Sequence, residues 1–199
     1  MRIISGELKG RTLRTPPGRH LRPTQGRVRQ VLFDIVGEGI MGARVLDLFA
    51  GVGAIGIEAL SRGAAEAVFV ERDAAALRYL RTNLELLGIA DRARVLPVAV
   101  EAAGKILRQD GEGFRWIFAD PPYRLDSTSW ILRMTHSDTG AILDPVGTLV
   151  VEASVYNLPA GVIGGLRRVR SRSVGETHLE FYGWDGRTDG KKGDLPGNV

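Results

Sequence analysis

Val45-Leu46-Asp47-Leu48-Phe49-Ala50-Gly51-Val52-Gly53-Ala54-Ile55-Gly56 is the stretch whose reading decides the fold. Residues 44–49 form a short branched and aromatic run broken only by Asp47, and such a run suits a parallel strand covered on both faces. Gly51 and Gly53 permit a tight turn with positive φ and let a ligand come close to the main chain. Residues 54–62 then carry the spacing of a helix, whose free N–H groups point at whatever occupies the turn. A charge inside an apolar strand needs a reason, and Asp47 is that charge.

The glycines Gly51, Gly53 and Gly56 satisfy G-x-G-x-x-G, and Glu71 ends the next strand 24 positions after Asp47. Such a pattern fits a dinucleotide-binding unit. It also fits S-adenosylmethionine, because an acid ahead of the turn can hold the ammonium of a methionine moiety, which NAD lacks. A strand-helix corner without any ligand is the third reading, and the glycines alone do not separate the three.

Outward from the turn, strands alternate with helices. Strands are expected at 67–71, 93–98, 116–119 and 147–152, with helices at 73–87 (capped by Asp73 and closed by Gly88), 101–109 and 127–135. Residues 167–173 and 177–184 alternate apolar and polar around Val174-Gly175-Glu176, which predicts an antiparallel hairpin closing the sheet. The fold class is therefore α/β, a Rossmann-like and mostly parallel sheet of seven strands. Ligands of such sheets bind at the carboxyl ends of the strands, where Asp47, Glu71 and Asp120 all lie.

Asp120-Pro121-Pro122-Tyr123 ends the fourth strand and separates the ligands. Two prolines make a rigid loop without N–H donors, so the Pro121 carbonyl and the Asp120 carboxylate stand as acceptors beside the face of Tyr123. That set receives a planar group bearing an NH₂. Two acceptors gripping its hydrogens favour a pyramidal nitrogen, whose lone pair is then free to attack a methyl sulfonium, and Tyr123 stacks on the base.

The amino-terminal end differs in charge. The 199-residue chain carries +4 overall, but residues 1–30 carry +7 and the remainder −3. That polarity predicts a polyanion docking at one end of a nearly neutral body. Residues 2–5 and 11–15 are short alternating runs around Gly6 and Gly10, expected as a small β-hairpin. Pro16-Pro17-Gly18 stops it, residues 19–23 are extended, and Thr24 is expected to cap a helix buried along Val28, Val31, Leu32, Ile35 and Val36. Three units are thus expected: a basic arm (1–23), a catalytic domain with its leading helix (24–184), and a disordered tail (185–199) rich in Gly, Asp and Lys. The arm is expected to be removable without unfolding the rest.

Composition excludes several classes. Zero cysteines rule out disulfides, zinc-cysteinate sites and iron–sulfur clusters, and His20, His136 and His178 form no recognisable metal set. No run approaches the ~20 apolar residues of a membrane helix, and no secretory signal follows Met1. No metal, no membrane and a cytoplasmic location are the expectations.

Asp47-x-Phe49-Ala50-Gly51-x-Gly53 with Glu71 resembles the cofactor motif of class I S-adenosylmethionine-dependent methyltransferases, and Asp120 to Tyr123 resembles the motif of those that methylate exocyclic amines. Arg2-Ile3-Ile4-Ser5-Gly6, Arg22-Pro23-Thr24 and Arg27-Val28-Arg29 with Leu32-Phe33 resemble the amino-terminal arm of bacterial 16S rRNA guanine-N2 methyltransferases of the RsmD type. The resemblance runs from residue 1 to about 184. It implies that Asp47, Phe49, Ala50, Gly51 and Gly53 cradle the methionine portion and that Glu71 accepts from the ribose hydroxyls, with Arg72 and Glu101 also at the cofactor. It implies that Asp120, Pro121, Pro122 and Tyr123 hold the target guanine. Where the family places an acid near the adenine amine this chain reads Val98-Ala99-Val100-Glu101, which leaves Glu101 or a backbone group for that contact. Arg2, Lys9, Arg11, Arg22, Thr24 and Arg27 are the implied RNA contacts, with Arg29 beside them. The implied partner is 16S rRNA in a partly assembled small subunit, met by a monomer. The alternatives are a DNA adenine-N6 methyltransferase, disfavoured by the lack of a target-recognition domain; a NAD-dependent oxidoreductase, which leaves Asp120 to Tyr123 unexplained; and a non-catalytic RNA-binding protein, against which Asp47, Gly51, Gly53 and Asp120 argue.

Overall fold

The computed structural model describes residues 1–17, 23–122, 129–132 and 142–185, with the backbone alone for 23–25. The leading helix α1 (Pro23–Val36) is followed by β1 (Arg44–Leu48), α2 (Ala54–Ser61), β2 (Glu66–Val70), α3 (Ala74–Leu87), β3 (Ala93–Leu96), α4 (Val100–Arg108) and β4 (Phe114–Ala119). Then come β5 (Leu143–Ser154), β6 (Val162–Ile163), β7 (Leu166–Val174) and β8 (Thr177–Trp184). The strands form one eight-stranded sheet in the order β3-β2-β1-β4-β5-β8-β7-β6. β3, β2, β1, β4 and β5 are parallel, and β8 enters antiparallel to β5. The expected seven strands are present, and β6 adds a two-residue edge.

Strand order places the site. The chain steps outward through β1, β2 and β3, then returns to lay β4 against β1, and this reversal opens a crevice over the carboxyl ends of β1 and β4. Below it the sheet is covered on both faces. Val45, Phe69, Phe118 and Phe181 pack with Leu32, Phe33, Leu60 and Leu80 on one side, while Leu46, Ile117 and Val151 pack with Ala103 and Leu107 on the other. The third motif glycine serves this packing, since a Cβ on Gly56 would lie 2.3 Å from Phe69 Cε1.

Local signals set most boundaries. Asp73 caps α3 by accepting from Ala76 N at 2.7 Å, and Gly88 ends that helix at φ 69°. α1 is helical from Pro23, so Thr24 lies in its first turn and not at its cap; proline suits that first turn because its missing N–H would have no intrahelical partner. β5 starts at Leu143, earlier than the expected residue 147, because the register jumps from Phe114↔Leu143 to Trp116↔Thr148. The bulge so formed accommodates Pro145, which no regular central strand would accept. Of the helix expected at 127–135, residues 129–132 are described and are helical. The expected tail lies outside the described residues beyond Asp185.

The amino-terminal segment differs most from expectation. It turns back through a single antiparallel bridge, Arg2↔Thr12, flanked by Ile3 N→Arg11 O (3.0 Å) and Leu13 N→Met1 O (2.8 Å). It does not stand off the body. Ile3 and Leu13 are buried in the main core. Ile4 N and Ser5 N donate to the buried Glu58 carboxylate of α2 at 2.8 and 3.0 Å, and Leu8 N donates to Ser61 Oγ at 3.0 Å. Asn83 of α3 accepts from Arg14 N at 2.8 Å and donates back to Arg14 O at 3.1 Å. A carboxylate 1% exposed cannot lose two N–H donors cheaply. Residues 1–17 are therefore docked on the body, which differs from the expected free-standing arm.

Candidate active site

The carboxyl ends of β1, β2, β4 and β5 border a cavity of about 1660 Å³. Its floor is the glycine turn. Phe49 leaves β1 at φ 59°, a left-handed conformation uncommon for a bulky residue, with its ring edge-on to Trp130 at 5.6 Å. Gly53 follows at φ 87°, where a Cβ would meet Leu80 Cδ1 at 2.4 Å, whereas a Cβ on Gly51 would meet nothing within 4 Å. Gly53 is thus required by packing, and Gly51 leaves room on the cavity wall.

Two carboxylates organise this turn. Asp47, 3% exposed, accepts from Gly56 N through Oδ2 at 2.8 Å, tying the strand to the first turn of α2. Its Oδ1 takes no hydrogen bond among the described residues. Burial pushes its carboxyl up to about 7; the Gly56 bond opposes the shift, and Asp120 and Glu71 add to it. Glu71 accepts from Gly51 N at 2.8 Å and, through its other oxygen, from Arg72 N and Asp73 N at 2.8 and 2.7 Å.

These bonds discriminate between cofactors. A dinucleotide pyrophosphate needs the turn and helix amides as donors, but Gly51 N and Gly56 N are already given to the protein's own carboxylates. Among the described residues seven carboxylates line the cavity, those of Asp47, Glu71, Asp73, Glu101, Asp120, Glu152 and Glu176, against the two guanidiniums of Arg29 and Arg72. Such a wall repels phosphates and suits a ligand with an ammonium and a sulfonium. The residues present fit S-adenosylmethionine.

Asp120 follows Ala119 at the end of β4, beside the end of β1 through the pair Leu48↔Ala119. It opens onto the cavity, yet protein surrounds it closely enough to push its carboxyl up to about 6. Pro121 is buried and Pro122 exposed, both on the cavity wall. Tyr123 lies outside the described residues. Phe49, Ala50, Gly51, Glu71, Arg72 and Glu101 line the same cavity, with Val98, Ala99 and Val100 next to Glu101 on its far side. The cofactor and target residues expected from separate stretches therefore share one chamber wherever they are described; Gly53 sits beneath its floor.

The implied RNA contacts divide. Arg2, Lys9 and Arg27 are exposed, and Arg11 is exposed with Nη2 donating to Leu86 O at 3.0 Å. Arg22 and the Thr24 side chain lie outside the described residues. Arg29 is 4% exposed, with Nη2 donating to Arg2 O at 2.6 Å and Nε 3.5 Å from Glu58. It joins the arm to the core, so the reading of Arg29 as a phosphate contact is corrected. Burial lowers its pKa from the usual value, against the pull of Glu58.

Glu152 is a carboxylate of the cavity wall that motif reading missed. It sits on β5, one residue beyond the pair Ala119↔Val151, and so beside Asp120. Burial, and then the negative charge of Asp120, push its carboxyl up to about 8. The signal was available, because Glu152 interrupts the apolar run Leu149-Val150-Val151 as Asp47 interrupts β1. Tyr156, 87% exposed, stands on the rim beyond it.

The chain is similar along most of its length to known proteins. Residues 1–183 match the family described as Conserved hypothetical protein 95. Ribosomal RNA small subunit methyltransferase D of Escherichia coli K12 is 40% identical over 189 residues, covering 92% of this chain and 89% of that protein. YlbH of Bacillus subtilis is 37% identical over 183 residues, covering 92% and 98%. A solved Escherichia coli structure, the methyltransferase-type protein yhhF, superposes at a TM-score of 0.77 with 37% identity over 93% of this chain and 98% of that one.

Proposed function

Since this chain belongs to the family described as Conserved hypothetical protein 95, we propose that it transfers a methyl group from S-adenosylmethionine to the exocyclic N2 amine of a guanine in small-subunit (16S) rRNA. The enzyme class and the rRNA substrate follow from that membership and from the 40% identity to the Escherichia coli small-subunit rRNA methyltransferase. The target atom rests on one observation: Asp120, at the end of β4 and followed by two prolines, faces the same cavity as Asp47 and the glycine turn.

The cofactor, when bound, supplies a methyl group on a positively charged sulfur. Asp47 would hold the methionine ammonium, and the open side of Gly51 would leave room for that portion beside the backbone. Glu71 receives the ribose hydroxyls with a carboxylate already oriented by three N–H groups. Val98 to Glu101, on the cavity wall, would border the adenine. Asp120 and the Pro121 carbonyl each accept one hydrogen of the guanine N2 amine, which holds its lone pair toward the methyl and stabilises the positive charge that grows on nitrogen. Asp120 can hold the proton that leaves, since its carboxyl lies near neutrality. Tyr123 stacks on the base. The exposed Arg2, Lys9, Arg11 and Arg27 bind phosphates on a segment fixed to the catalytic body; Arg22 and Thr24 are the further RNA contacts that the family resemblance implies. The protein acts in the cytoplasm as a monomer on a partly assembled subunit; no described helix is long and apolar enough to cross a membrane.

The test is Asp120→Ala. S-adenosylhomocysteine binding, measured by calorimetry, stays within about twofold, while methyl transfer to small-subunit particles falls at least ~100-fold. Loss of both together refutes the assignment.

A further inference from the structure

Glu152 presents a chemical problem that the cofactor does not solve. It occupies an interior position of β5, paired with Leu179 of β8 and continuing the face of Val150 and Phe118, where the core opens into the cavity. Paired positions of parallel strands send their side chains to one face, and neighbouring strands lie about 4.8 Å apart. Glu152 and Asp120 therefore project side by side. Neither carboxylate takes a hydrogen bond or an ion pair from any described residue, so two groups with acceptor capacity stand side by side on the cavity wall with no described donor between them. Burial raises both carboxyls above their ordinary range, and the charge of Asp120 raises Glu152 further, so adjacent donors from a bound base relieve the pair.

A partner that relieves both must offer adjacent donors on one edge. The Watson–Crick edge of guanine does so, with N2–H₂ next to N1–H. Adenine carries an acceptor at N1, which a carboxylate repels. We propose that Glu152 accepts the N1–H of the target guanine, beside the N2 amine held by Asp120, and so selects guanine over bases whose N1 is an acceptor. This assignment rests on the guanine-N2 reading above. Glu152 is a specificity residue in it: it touches the base but not the reacting nitrogen.

The test uses small-subunit particles reconstituted with unmodified 16S rRNA. Mass spectrometry first identifies the nucleotide that the wild-type enzyme methylates; splinted ligation then places 2-aminopurine, which keeps the N2 amine but has an acceptor at N1, at that position. The wild-type enzyme is expected to favour guanine over 2-aminopurine by about 100-fold or more in kcat/KM, as for other sites built around a buried hydrogen bond. Glu152→Gln, whose amide can donate to an N1 acceptor, is expected to narrow that ratio at least tenfold by gaining on 2-aminopurine. Glu152→Ala is expected to lose activity on guanine without gaining on the analogue. Both variants keep the wild-type affinity for S-adenosylhomocysteine, which reports that the fold and cofactor site are intact. An unchanged ratio in Glu152→Gln overturns the assignment while leaving the guanine-N2 reading standing. A wild-type product methylated on any atom other than guanine N2 overturns both.

Discussion

Asp47→Asn is expected to stabilise the protein and disable it. The wild-type carboxyl is 3% exposed and held up at about 7, against 3.8 in an unfolded chain. At about 1.4 kcal/mol per tenfold change, that difference is worth roughly 4 kcal/mol. The sign follows from proton binding. Below pH 3.8 both states are neutral at this position and the charge costs nothing. Between about pH 4 and 7 the unfolded state ionises and the folded state does not, so stability falls as pH rises; above 7 the full cost is present. Asparagine keeps an oxygen for the Gly56 N–H and never ionises. Urea unfolding of the two proteins across pH should therefore show a difference near zero at pH 4 that grows to about 4 kcal/mol in favour of Asp47→Asn at pH 8, an increase of roughly 10 °C in Tm for a chain of this size. The same variant should bind S-adenosylhomocysteine at least ~100-fold more weakly, because the methionine ammonium loses its charged partner. Wild-type binding at pH 7 should release about half a proton per site, as Asp47 is drawn into its ionised form. A stability difference independent of pH, or unchanged ligand affinity, would refute the reasoning.

Three further outcomes are expected. Gly56→Ala should cost about 1–3 kcal/mol in urea unfolding, since its Cβ would sit 2.3 Å from Phe69 Cε1, and Phe69→Leu should restore part of the loss. Glu58→Ala should cost about 3–5 kcal/mol and accelerate hydrogen exchange at the Ile4 and Ser5 amides, because it strands Arg29 and removes the acceptor for both N–H groups; exchange confined to wild-type rates would contradict the docking of the arm. Lys9→Ala combined with Arg2→Ala should weaken rRNA binding and reduce its dependence on log salt by about one to two units, with thermal stability unchanged.

Asp47, the glycines and Asp120 were legible because each breaks a local rule: a charge in an apolar strand, a turn that only glycine makes easily, two prolines after a strand. The caps at Asp73 and Gly88 were legible for the same reason, since capping is decided within three or four residues. Those signals alone carried the alternation of strands and helices, the fold class and the pairing of a glycine turn with an Asp-Pro-Pro-Tyr tetrapeptide at two strand ends. Other features depend on partners far along the chain. That residues 1–17 are pinned to the body was decided by Glu58 and Asn83, more than fifty positions away, so a segment that reads as a separate basic arm is docked on the body and sends Ile3 and Leu13 into the core. Arg29 reads like Arg27, and only the packing of α1 buries one and exposes the other. Which carboxylates occupy the Gly51 and Gly56 amides was decided by the packing of β1, β2 and α2, and the placing of Glu152 beside Asp120 by the register of β4 on β5. A local pattern can state that a charge needs compensation; which distant group supplies it depends on strand order and register, and those exist only once the chain has closed on itself.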